Sequence, residues 1–338
     1  MKTILLTGGL GYIGSHIAVQ LLNLNYQVVI IDDLSNSCID KLQIIKQNVM
    51  DPENKENLKF YIVDLVDAVK LKKIFDIQHI DLVIHLAGLK SVGESISKPI
   101  LYYEKNIIST INLINVMELF HCKKLIFSSS ATVYGNASKS PCLETMEVGR
   151  GLTNPYGKTK YMQEEIFRDL SASDKTWNIF LLRYFNPVGQ MNLSMKEIPN
   201  GIPNNLFPYI VKVYNKELKM LNIFGNNYDT PDGTGVRDFI HVCDLASGHV
   251  KACEKMLASV DFIQGLKTYN LGTGCGISVK QMVDAFEKVN NTKIQYQYAP
   301  RREGDIAECY ADCSLANKEL GWTAVYKLED MVNLSDSL

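Results

Sequence analysis

The sequence has no long apolar run, no run of basic residues and no low-complexity tract. A membrane-spanning helix needs about 20 consecutive apolar residues, and no segment of the 338-residue chain approaches that length. The formal net charge is only −2, from 35 basic and 37 acidic side chains, so the sequence lacks the strongly positive surface that binds nucleic acids. We therefore predict no membrane association and no nucleic-acid partner.

The first residues, MKTILLTGGLGYIG, lack the features of a secretory leader. Their apolar stretch is too short, and Gly8 and Gly9 interrupt it. Eight cysteines are present, but without a leader they predict reduced thiols rather than a disulfide framework. Cys309 and Cys313 do not have the paired spacing of a zinc site, so we predict no metal site. Together these points predict a cytoplasmic protein.

The first half of the chain alternates short apolar runs with helix-length segments. Strands are predicted at TILLT (3–7), QVVIID (27–32), KFYIVD (59–64), DLVIHLA (81–87), KLIFSSS (124–130) and NIFLLRYF (178–185). Helical segments such as IGSHIAVQLLNLN (13–25) and NIISTINLINVMELF (106–120) lie between them. Apolar strands separated by helices are typical of βαβ units with helices on both faces of a parallel sheet. We expect an α/β fold with a Rossmann-type doubly wound parallel sheet.

The character of the sequence changes after about residue 186. Loop-like stretches rich in Pro, Asn and Gly, such as EIPNGIPNN and GNNYDTPDGTG, then separate shorter elements. We predict a nucleotide-binding domain over residues 1–186 and a smaller, mixed substrate-binding region over 187–338, with some segments returning to the first sheet. The second region would cover the carboxyl edge of the sheet, where open α/β sheets bind ligands.

A glycine motif, LLTGGLGYIGSH, directly follows the first predicted strand. Gly8, Gly11 and Gly14 are spaced three residues apart, which suits a tight turn, a close approach to a pyrophosphate and close helix packing. Asp32 ends the second predicted strand, where a carboxylate accepts a hydrogen bond from a ribose hydroxyl and repels a 2′-phosphate. The motif therefore predicts an NAD site rather than an NADP site. Asp64, at the end of the third predicted strand, is either an adenine contact or a simple strand-end residue.

Three side chains predict an acid–base site near this cofactor. Ser130 ends the fifth predicted strand, and Tyr156 and Lys160 lie four residues apart, so they share one face of a helix. A free phenol has a pKa of about 10, so ionisation near pH 7 requires a shift of about 3 units, or about 4 kcal/mol. One nearby cation supplies about 1–3 units. We therefore expect Lys160 and the positive nicotinamide together to make Tyr156 a base.

Long motifs place the chain in a known family. They include TGGLGYIGSH, HLAGLKSVGES, FSSSATVYG, NPYGKTK, LLRYFNPVG, GIPNNLFPYI, DGTGVRDFIHVCDLA, YNLGTG and RREGD, between residue 2 and about residue 325. With these motifs the chain resembles the UDP-galactose 4-epimerases of the extended short-chain dehydrogenase/reductase family. The resemblance implies NAD-dependent oxidation of a UDP-hexose at C4, rotation of the 4-keto sugar, and reduction on the opposite face. It also implies a homodimer formed by the helix of residues 100–120 and the Tyr156 helix.

The resemblance also implies the residues that hold each ligand. For catalysis they are Ser130, which binds the sugar 4-OH, the base Tyr156, and Lys160, which tunes the base. For the cofactor they are Gly8, Gly11, Tyr12, Ile13, Gly14, Asp32, Asn36, Ser37, Asp64, Leu65, Leu86, Ala87, Gly88, Lys90 (near the pyrophosphate), Asn106, Ser128, Tyr156, Lys160 and Tyr184. For the substrate they are Lys90, Ser130, Thr132, Tyr156, Phe185, Asn186, Asn205, Leu206, Asn222, Phe224 (beside the uracil), Arg237 and Arg302 (on the diphosphate), Asp305 and Cys309. A structural alternative is that Arg302 and Asp305 only pair with each other.

Two other activities are possible on the same scaffold. Sugar-nucleotide 4,6-dehydratases and decarboxylases resemble these epimerases, but they carry an acidic residue just after the strand-end serines. Ala131 and Thr132 occupy those positions here, so the general acid or base that elimination needs is missing. A catalytically silent nucleotide-sugar or NAD-binding relative is another alternative, although Ser130, Tyr156 and Lys160 are all present.

The sequence departs from the family pattern at several points. Cys309 occupies a position where bacterial relatives tend to have Tyr, and a small side chain there predicts room for a 2-acetamido group, hence turnover of UDP-GalNAc and UDP-GlcNAc. The loop at 190–200 has an unusual sequence, and Phe239 replaces a common Tyr. The last residues, LEDMVNLSDSL, lack the Trp-containing helix of relatives, which predicts some uncovered apolar surface.

Overall fold

The structure is a computed structural model that describes residues 1–136, 139–197, 203, 205–258, 265–302 and 304–335. The strands are β1 (Thr3–Thr7), β2 (Gln27–Asp32), β3 (Leu58–Ile62), β4 (Leu82–His85), β5 (Lys124–Ser130), β6 (Asn178–Tyr184), β7 (Asn186–Val188), β8 (Leu221–Phe224), β9 (Val236–His241), β10 (Gly265–Leu271), β11 (Gly276–Ser278), β12 (Tyr296–Ala299) and β13 (Glu308–Cys309). The helices are α1 (Tyr12–Asn23), α2 (Lys41–Gln47), α3 (Ala68–Ile77), α4 (Val92–Ser97), α5 (Pro99–Tyr103), α6 (Ser109–Leu119), α7 (Pro155–Ser173), α8 (Leu206–Tyr214), α9 (Val242–Ala258), α10 (Val279–Val289), α11 (Ser314–Leu320) and α12 (Leu328–Val332).

Seven of these strands form one parallel sheet, in the order β10-β6-β5-β4-β1-β2-β3. Every residue of β1, β4 and β6 is buried, as expected for strands covered on both faces. Helices α1 and α9 contribute to the apolar core on one face, and α3, α6 and α7 to the core on the other. The chain order reverses next to β1, and in open α/β sheets ligands bind at the carboxyl edge beside such a switch point. The predicted Rossmann-type fold is therefore confirmed.

The second region of the chain builds smaller sheets over this edge. Strands β11, β9 and β13 pair in that order, β7 pairs with β9, and β8 pairs with β12. Helices α8, α10 and α12 pack around them in a separate apolar core. Two elements rejoin the first half, because β10 pairs with β6 and α9 packs on α1. The chain thus crosses between the two regions more than once.

Two of the differences between the predicted and observed element boundaries bear on the site. Strand β3 ends at Ile62, so Asp64 lies two residues beyond it rather than at its end. The helix predicted at 106–120 is regular only from Ser109, because residues 104–108 form a π-turn. Such turns are rare and often occur at functional sites. Asn106 lies in this turn and is fully buried.

Candidate active site

A glycine loop joins β1 to α1 at the switch point. Gly8 has a φ of +67°, which favours glycine, and a Cβ there would lie 2.9 Å from the backbone of Ala87. A Cβ on Gly14 would lie 2.7 Å from the Gly8 carbonyl oxygen. Gly11, the N-cap of α1, provides no capping side chain, and the first turn of α1 has no acidic residue. The helix start therefore has the close backbone approach and the positive dipole end that suit a phosphate.

Asp32, the last residue of β2, lies beside this loop. Its carboxylate accepts hydrogen bonds from the backbone N–H groups of Leu10 and Leu34, both at 3.0 Å, and from the Ser37 hydroxyl at 2.8 Å. Burial raises the pKa of Asp32, and these three hydrogen bonds oppose that effect. Asn36 belongs to the same turn after β2. The position of the carboxylate, at a strand end next to a glycine loop, suits a ribose hydroxyl.

Asp64 has a partner that the sequence analysis missed. The Lys105 ammonium donates to the Asp64 carboxylate and also lies 4.0 Å from Asp33. Asp64 accepts a second bond from the backbone N–H of Val66 at 3.0 Å. Burial of Asp64 acts to raise its pKa, but the hydrogen bonds from Lys105 and Val66 and the charge of Lys105 together outweigh burial, so the pKa is lowered. The side chain of Asp64 is therefore engaged with Lys105 in this structure.

The remaining cofactor candidates line the same edge. The backbone N–H groups of Leu86 and Ala87, just after β4, donate to the Thr7 hydroxyl at 3.2 and 3.1 Å. Lys90 pairs with Glu197 at 2.7 Å. The other candidates lie at the start of α1 (Tyr12, Ile13), after β4 (Gly88), after β3 (Leu65), in the π-turn (Asn106), within β5 (Ser128) and at the end of β6 (Tyr184). The predicted cofactor set therefore involves six strands, β1 to β6, near their carboxyl ends.

Asn106 ties the loop after β4 to α7. Its amide oxygen accepts from the backbone N–H of Leu89 at 2.8 Å, and its amide nitrogen donates to the Leu89 carbonyl at 3.1 Å and to the Thr159 hydroxyl at 2.9 Å. All three bonds involve buried or partly buried groups, so they fix the loop against the helix. The two elements that flank the nicotinamide end of the predicted site are therefore held in one arrangement.

Helix α7 delivers Tyr156 and Lys160 to the sheet edge. The Asn154 side chain caps the helix by accepting from the Gly157 N–H at 2.8 Å, and Pro155 occupies the first turn. The Lys160 ammonium donates to the Ser128 carbonyl at 2.7 Å and lies 4.7 Å from the centre of the Phe127 ring. Residues Tyr156, Lys160 and Ser130 thus come together as the sequence predicts.

The proton affinities at this site follow from burial. Burial raises the pKa of Tyr156, and a hydrogen bond with Ser130 opposes the increase. Burial lowers the pKa of Lys160 to about 7, and the Glu164 carboxylate opposes the decrease. The Tyr156 phenol is thus a weaker acid than it is in water, and the Lys160 ammonium is a stronger acid than it is in water. Without bound ligands, Tyr156 is protonated at neutral pH.

The substrate candidates surround β9 and β13. Arg237 and Asp305 form an ion pair at 3.7 Å. The Arg302 guanidinium lies 3.9 Å from the centre of the Phe224 ring. The alternative in which Arg302 and Asp305 only pair with each other is therefore wrong, because Asp305 pairs with Arg237 and Arg302 stacks on Phe224. A planar cation on an aromatic ring remains available to a phosphate through its N–H donors.

The other substrate candidates have varied surroundings. Asn186 donates to the Asp238 carbonyl at 3.0 Å, and Asn222 accepts from Gln297 at 2.8 Å. Asn205 is the N-cap of α8 but makes no capping hydrogen bond with its side chain. The remaining candidates are Leu206, which is the first residue of α8, Phe185, which is buried beside Tyr134, and Thr132, whose buried hydroxyl has no partner among the described residues. Asn205 and Thr132 therefore retain hydrogen-bonding capacity.

Comparison with known proteins decides the family. The chain is 51% identical over 329 residues to a UDP-glucose 4-epimerase of Bacillus subtilis, covering 97% of this chain and 94% of that protein. A UDP-glucose 4-epimerase of Haemophilus influenzae is 52% identical over 330 residues, with 97% and 95% covered. The chain belongs to the UDP-glucose 4-epimerase family. A broader family model, described as GDP-mannose 4,6 dehydratase, matches residues 5–334.

Solved epimerases have the same architecture. A UDP-glucose 4-epimerase from Bifidobacterium longum in complex with NAD+ and UDP superposes with a TM-score of 0.91 at 48% identity, covering 99% of this chain and 97% of that one. Another, from Stenotrophomonas maltophila, with bound NAD and formylated UDP-arabinopyranose, gives a TM-score of 0.92 at 41% identity, with 98% and 96% covered. The epimerase fold predicted from the motifs is therefore confirmed, and these neighbours support NAD as the cofactor.

The structure gives the environment of several positions at which the sequence departs from the family pattern. Cys309 is partly buried on β13 opposite Arg237, and its free thiol lies beside the free thiol of Cys142. Phe239 is buried in the apolar core around β9. Met331 and Val332 of α12 are also buried there. In the loop at 190–200, residues 198–200 lie outside the described residues.

No group of three or more His, Cys, Asp or Glu side chains in the described ranges is arranged to hold a metal ion. None of the helices in them is both long and apolar enough to cross a membrane.

Proposed function

We propose that this epimerase interconverts UDP-galactose and UDP-glucose by transient oxidation at C4 of the hexose. The observation that carries the proposal is the placement of Tyr156 and Lys160 on one face of α7, next to Ser130 and to the edge that holds the glycine loop. This edge fits a dinucleotide, because Gly8 and Gly14 allow a backbone approach that a Cβ would block. Relatives with about half of their residues identical catalyse the same named reaction.

Each residue of the site has a distinct task in this reaction. NAD⁺, held at the glycine loop and Asp32, would supply reversible hydride-acceptor chemistry for C4 of the sugar. Tyr156 takes the proton of the 4-hydroxyl and gives it back, and Ser130 orients that hydroxyl. Burial makes ionisation of Tyr156 harder, so a positive charge next to the phenol is required. Lys160 provides it when protonated, and its pKa of about 7 allows this at neutral pH.

The second region binds the UDP group in this proposal. Arg237 and Arg302 contact the diphosphate through their guanidinium groups, which match phosphate geometrically. Phe224 packs beside the uracil, and Asn186 and Asn205 supply hydrogen bonds. The 4-keto sugar has to rotate within the site so that its opposite face is reduced. Most of the binding contacts must therefore be made to UDP rather than to the hexose.

Elimination of water, as in a dehydratase, is disfavoured by the residues around Tyr156. Ala131 and Thr132 follow Ser130 and carry no acid. The nearest carboxylate on α7 is Glu164, which is fully buried and accepts from the Nε and Nη2 groups of Arg183 at 3.0 and 2.8 Å. These bonds offset its burial and lower its pKa, so Glu164 is a poor proton donor.

We further propose that UDP-GalNAc and UDP-GlcNAc are interconverted. Cys309 contributes a small side chain at the substrate edge, next to Arg237 in the strand register. Its contact with the Cys142 thiol, together with burial, raises the pKa of Cys309, so the side chain is neutral as well as small. A neutral, small group leaves space for an acetamido substituent.

The assembly and location are also proposals. We propose a homodimer in which α5, α6 and α7 of two copies meet, because this face carries the exposed side chains of Ile100, Ile111 and Met162, which are 74%, 42% and 42% exposed. We place the reaction in the cytoplasm, and the eight free cysteines fit a reducing compartment.

The experiment that tests the activity uses purified protein with no added nicotinamide nucleotide. UDP-galactose is supplied, and proton NMR follows its conversion to UDP-glucose. We expect conversion, because the cofactor is retained through purification, and a loss of about 10²–10⁴-fold in Tyr156→Phe, which removes the acid–base group. Tyr161→Phe, a neighbouring tyrosine on the same helix, is the matched control. No conversion by the wild type, even with NAD added, would contradict the proposal.

A further inference from the structure

Helix α7 meets strand β5 through a series of side chains spaced one helical turn apart. Tyr156 bonds to the Ser130 side chain, and Lys160, four residues later, donates to the Ser128 carbonyl at 2.7 Å. Residues four apart lie on the same helix face. The series continues one turn further, to Glu164, which lies four residues after Lys160 just as Lys160 lies four residues after Tyr156.

Glu164 contacts the residue of β5 that lies between the two residues contacted by Lys160 and Tyr156. The Ser129 hydroxyl, between Ser128 and Ser130 in the strand, donates to Glu164 at 2.5 Å. The Glu164 side chain is 0% exposed, and Arg183 in the neighbouring strand β6, at 1% exposed, binds it through two N–H groups. A second cation, Arg168, donates from the more exposed side at 2.8 Å. Two adjacent strands therefore hold one carboxylate of the catalytic helix.

Charge near Lys160 also depends on Glu164. The ammonium lies over the Phe127 ring, and burial favours its neutral form. Among the titratable groups that face it, His85 on β4 is neutral at physiological pH, because burial lowers its pKa to about 3. The phenols of Tyr156 and of Tyr184 on β6 have pKa values raised by burial, so they are neutral as well. Glu164 is thus the negative group that favours the ammonium.

We propose that Glu164 is a positioning residue of the epimerase: held by Arg183 and Ser129, it sets the register of α7 on β5 and keeps Lys160 positively charged beside Tyr156. The inference rests on the proposed function only for the role of that charge in turnover. The geometric part, a buried carboxylate clamped between two strands and one turn from Lys160, is independent of the substrate.

The test compares Glu164→Gln with the wild-type holoenzyme in two measurements. In the first, a trace of acetic anhydride labels the amines over a range of pH, and mass spectrometry gives the titration midpoint of Lys160, with the exposed Lys158 as internal reference. In the second, kcat for UDP-galactose is measured over the same range. Removing one nearby negative charge should lower the Lys160 midpoint by about one unit. The alkaline limb of kcat should move to lower pH by the same amount.

Two further variants separate positioning from stability. Arg168→Gln removes a contact to the same carboxylate but keeps its charge, so the Lys160 midpoint should stay in place. Glu164→Asp also keeps the charge but shortens the reach to Ser129, so kcat should fall while the alkaline limb remains near its wild-type position. If Glu164→Gln leaves Arg183 unpaired and does not fold, Glu164→Gln with Arg183→Gln removes both charges together, which a buried pair tolerates better than loss of one partner.

The outcomes are distinguishable. A lower Lys160 midpoint in a folded Glu164→Gln or Glu164→Gln/Arg183→Gln protein supports the inference. A lower melting temperature with an unchanged midpoint would overturn it, since Glu164 would then be only a structural residue. If the wild type does not convert UDP-galactose, the proposed function fails, but the labelling measurement still decides the effect of Glu164 on Lys160.

Discussion

At the scale of single residues, burial disfavours the charged form of Lys160. Burial lowers its pKa to about 7 in the folded protein, from about 10.4 in an unfolded chain. Between these values the unfolded state binds the proton and the folded state does not, so this group makes stability increase with pH over that window. Below pH 7 both states are protonated, and the cost of burying the charge is at its maximum.

We therefore predict a pH-dependent effect for Lys160→Met, which keeps an apolar stem over Phe127. The melting temperature of the variant minus that of the wild type should be more positive at pH 6 than at pH 9.5, while epimerase activity is lost. Scanning calorimetry at the two pH values measures this. The exposed Lys158→Met is the control, and its difference should not change with pH. An equal difference at both pH values for Lys160→Met would contradict the lowered pKa.

Cys309 gives the prediction on specificity. Cys309→Tyr fills the space beside Arg237, so turnover of UDP-GalNAc should fall at least tenfold relative to turnover of UDP-galactose. A tenfold fall corresponds to a loss of about 1.4 kcal/mol, which one blocked contact can cause. Cys309→Ser keeps the side chain small and should convert both substrates. The ratio of kcat/KM for the two sugars is the measurement. A Tyr variant that still converts UDP-GalNAc as well as the wild type does would show that Cys309 does not set the pocket size.

The sequence predicted the candidate catalytic residues better than their partners. Tyr156 and Lys160 share a helix face because they lie four residues apart, and Ser130 is predicted at the same sheet edge because it ends a strand. The Lys160–Ser128 bond, the Lys105–Asp64 pair and the Arg237–Asp305 pair are set by tertiary contacts between distant segments. One signal was available and not used: Glu164 lies four residues after Lys160, on the same helix face.

At the scale of elements, the junction of β1 with α1 depends on backbone proximity. A Cβ on Gly14 would lie 2.7 Å from the Gly8 carbonyl oxygen, closer than real Cβ contacts. We predict that Gly14→Ala displaces the start of α1, so the purified protein carries little NAD. UDP binding should persist, because its predicted contacts lie around β9 and β13. Cofactor content by absorbance and UDP binding by calorimetry test this. Full NAD content in the variant would mean that the loop tolerates the displacement.

Strand positions were predictable because buried parallel strands give continuous apolar runs. The six runs identified in the first half all form strands, with ends that differ by three residues or fewer from the structure. The π-turn at residues 104–108 was not predictable, since its sequence continues a helical pattern into α6. The return of β10 to the large sheet follows from pairing with β6 across more than 80 intervening residues, which local patterns do not encode.

At the scale of the whole molecule, the proposed homodimer depends on the face formed by α5, α6 and α7. Ile111 lies on α6 and is 42% exposed next to the groove between α6 and α7. We predict that Ile111→Asp converts the proposed dimer to a monomer by placing a charge in the apolar contact. Ile62→Asp, at a 62% exposed position on the edge strand β3, should remain dimeric. Light scattering after size-exclusion chromatography gives the mass, and a wild-type monomer would contradict the assembly.

We propose that the sugar is oxidised and then reduced at C4 within one site. UDP-galactose carrying deuterium at C4 tests this when it is converted by the purified protein in ordinary water and followed by mass spectrometry and NMR. We expect the UDP-glucose formed to retain the deuterium at C4, because the same two electrons and nucleus return to the opposite face. Loss of the deuterium to solvent would contradict transient oxidation and would require a different route of inversion.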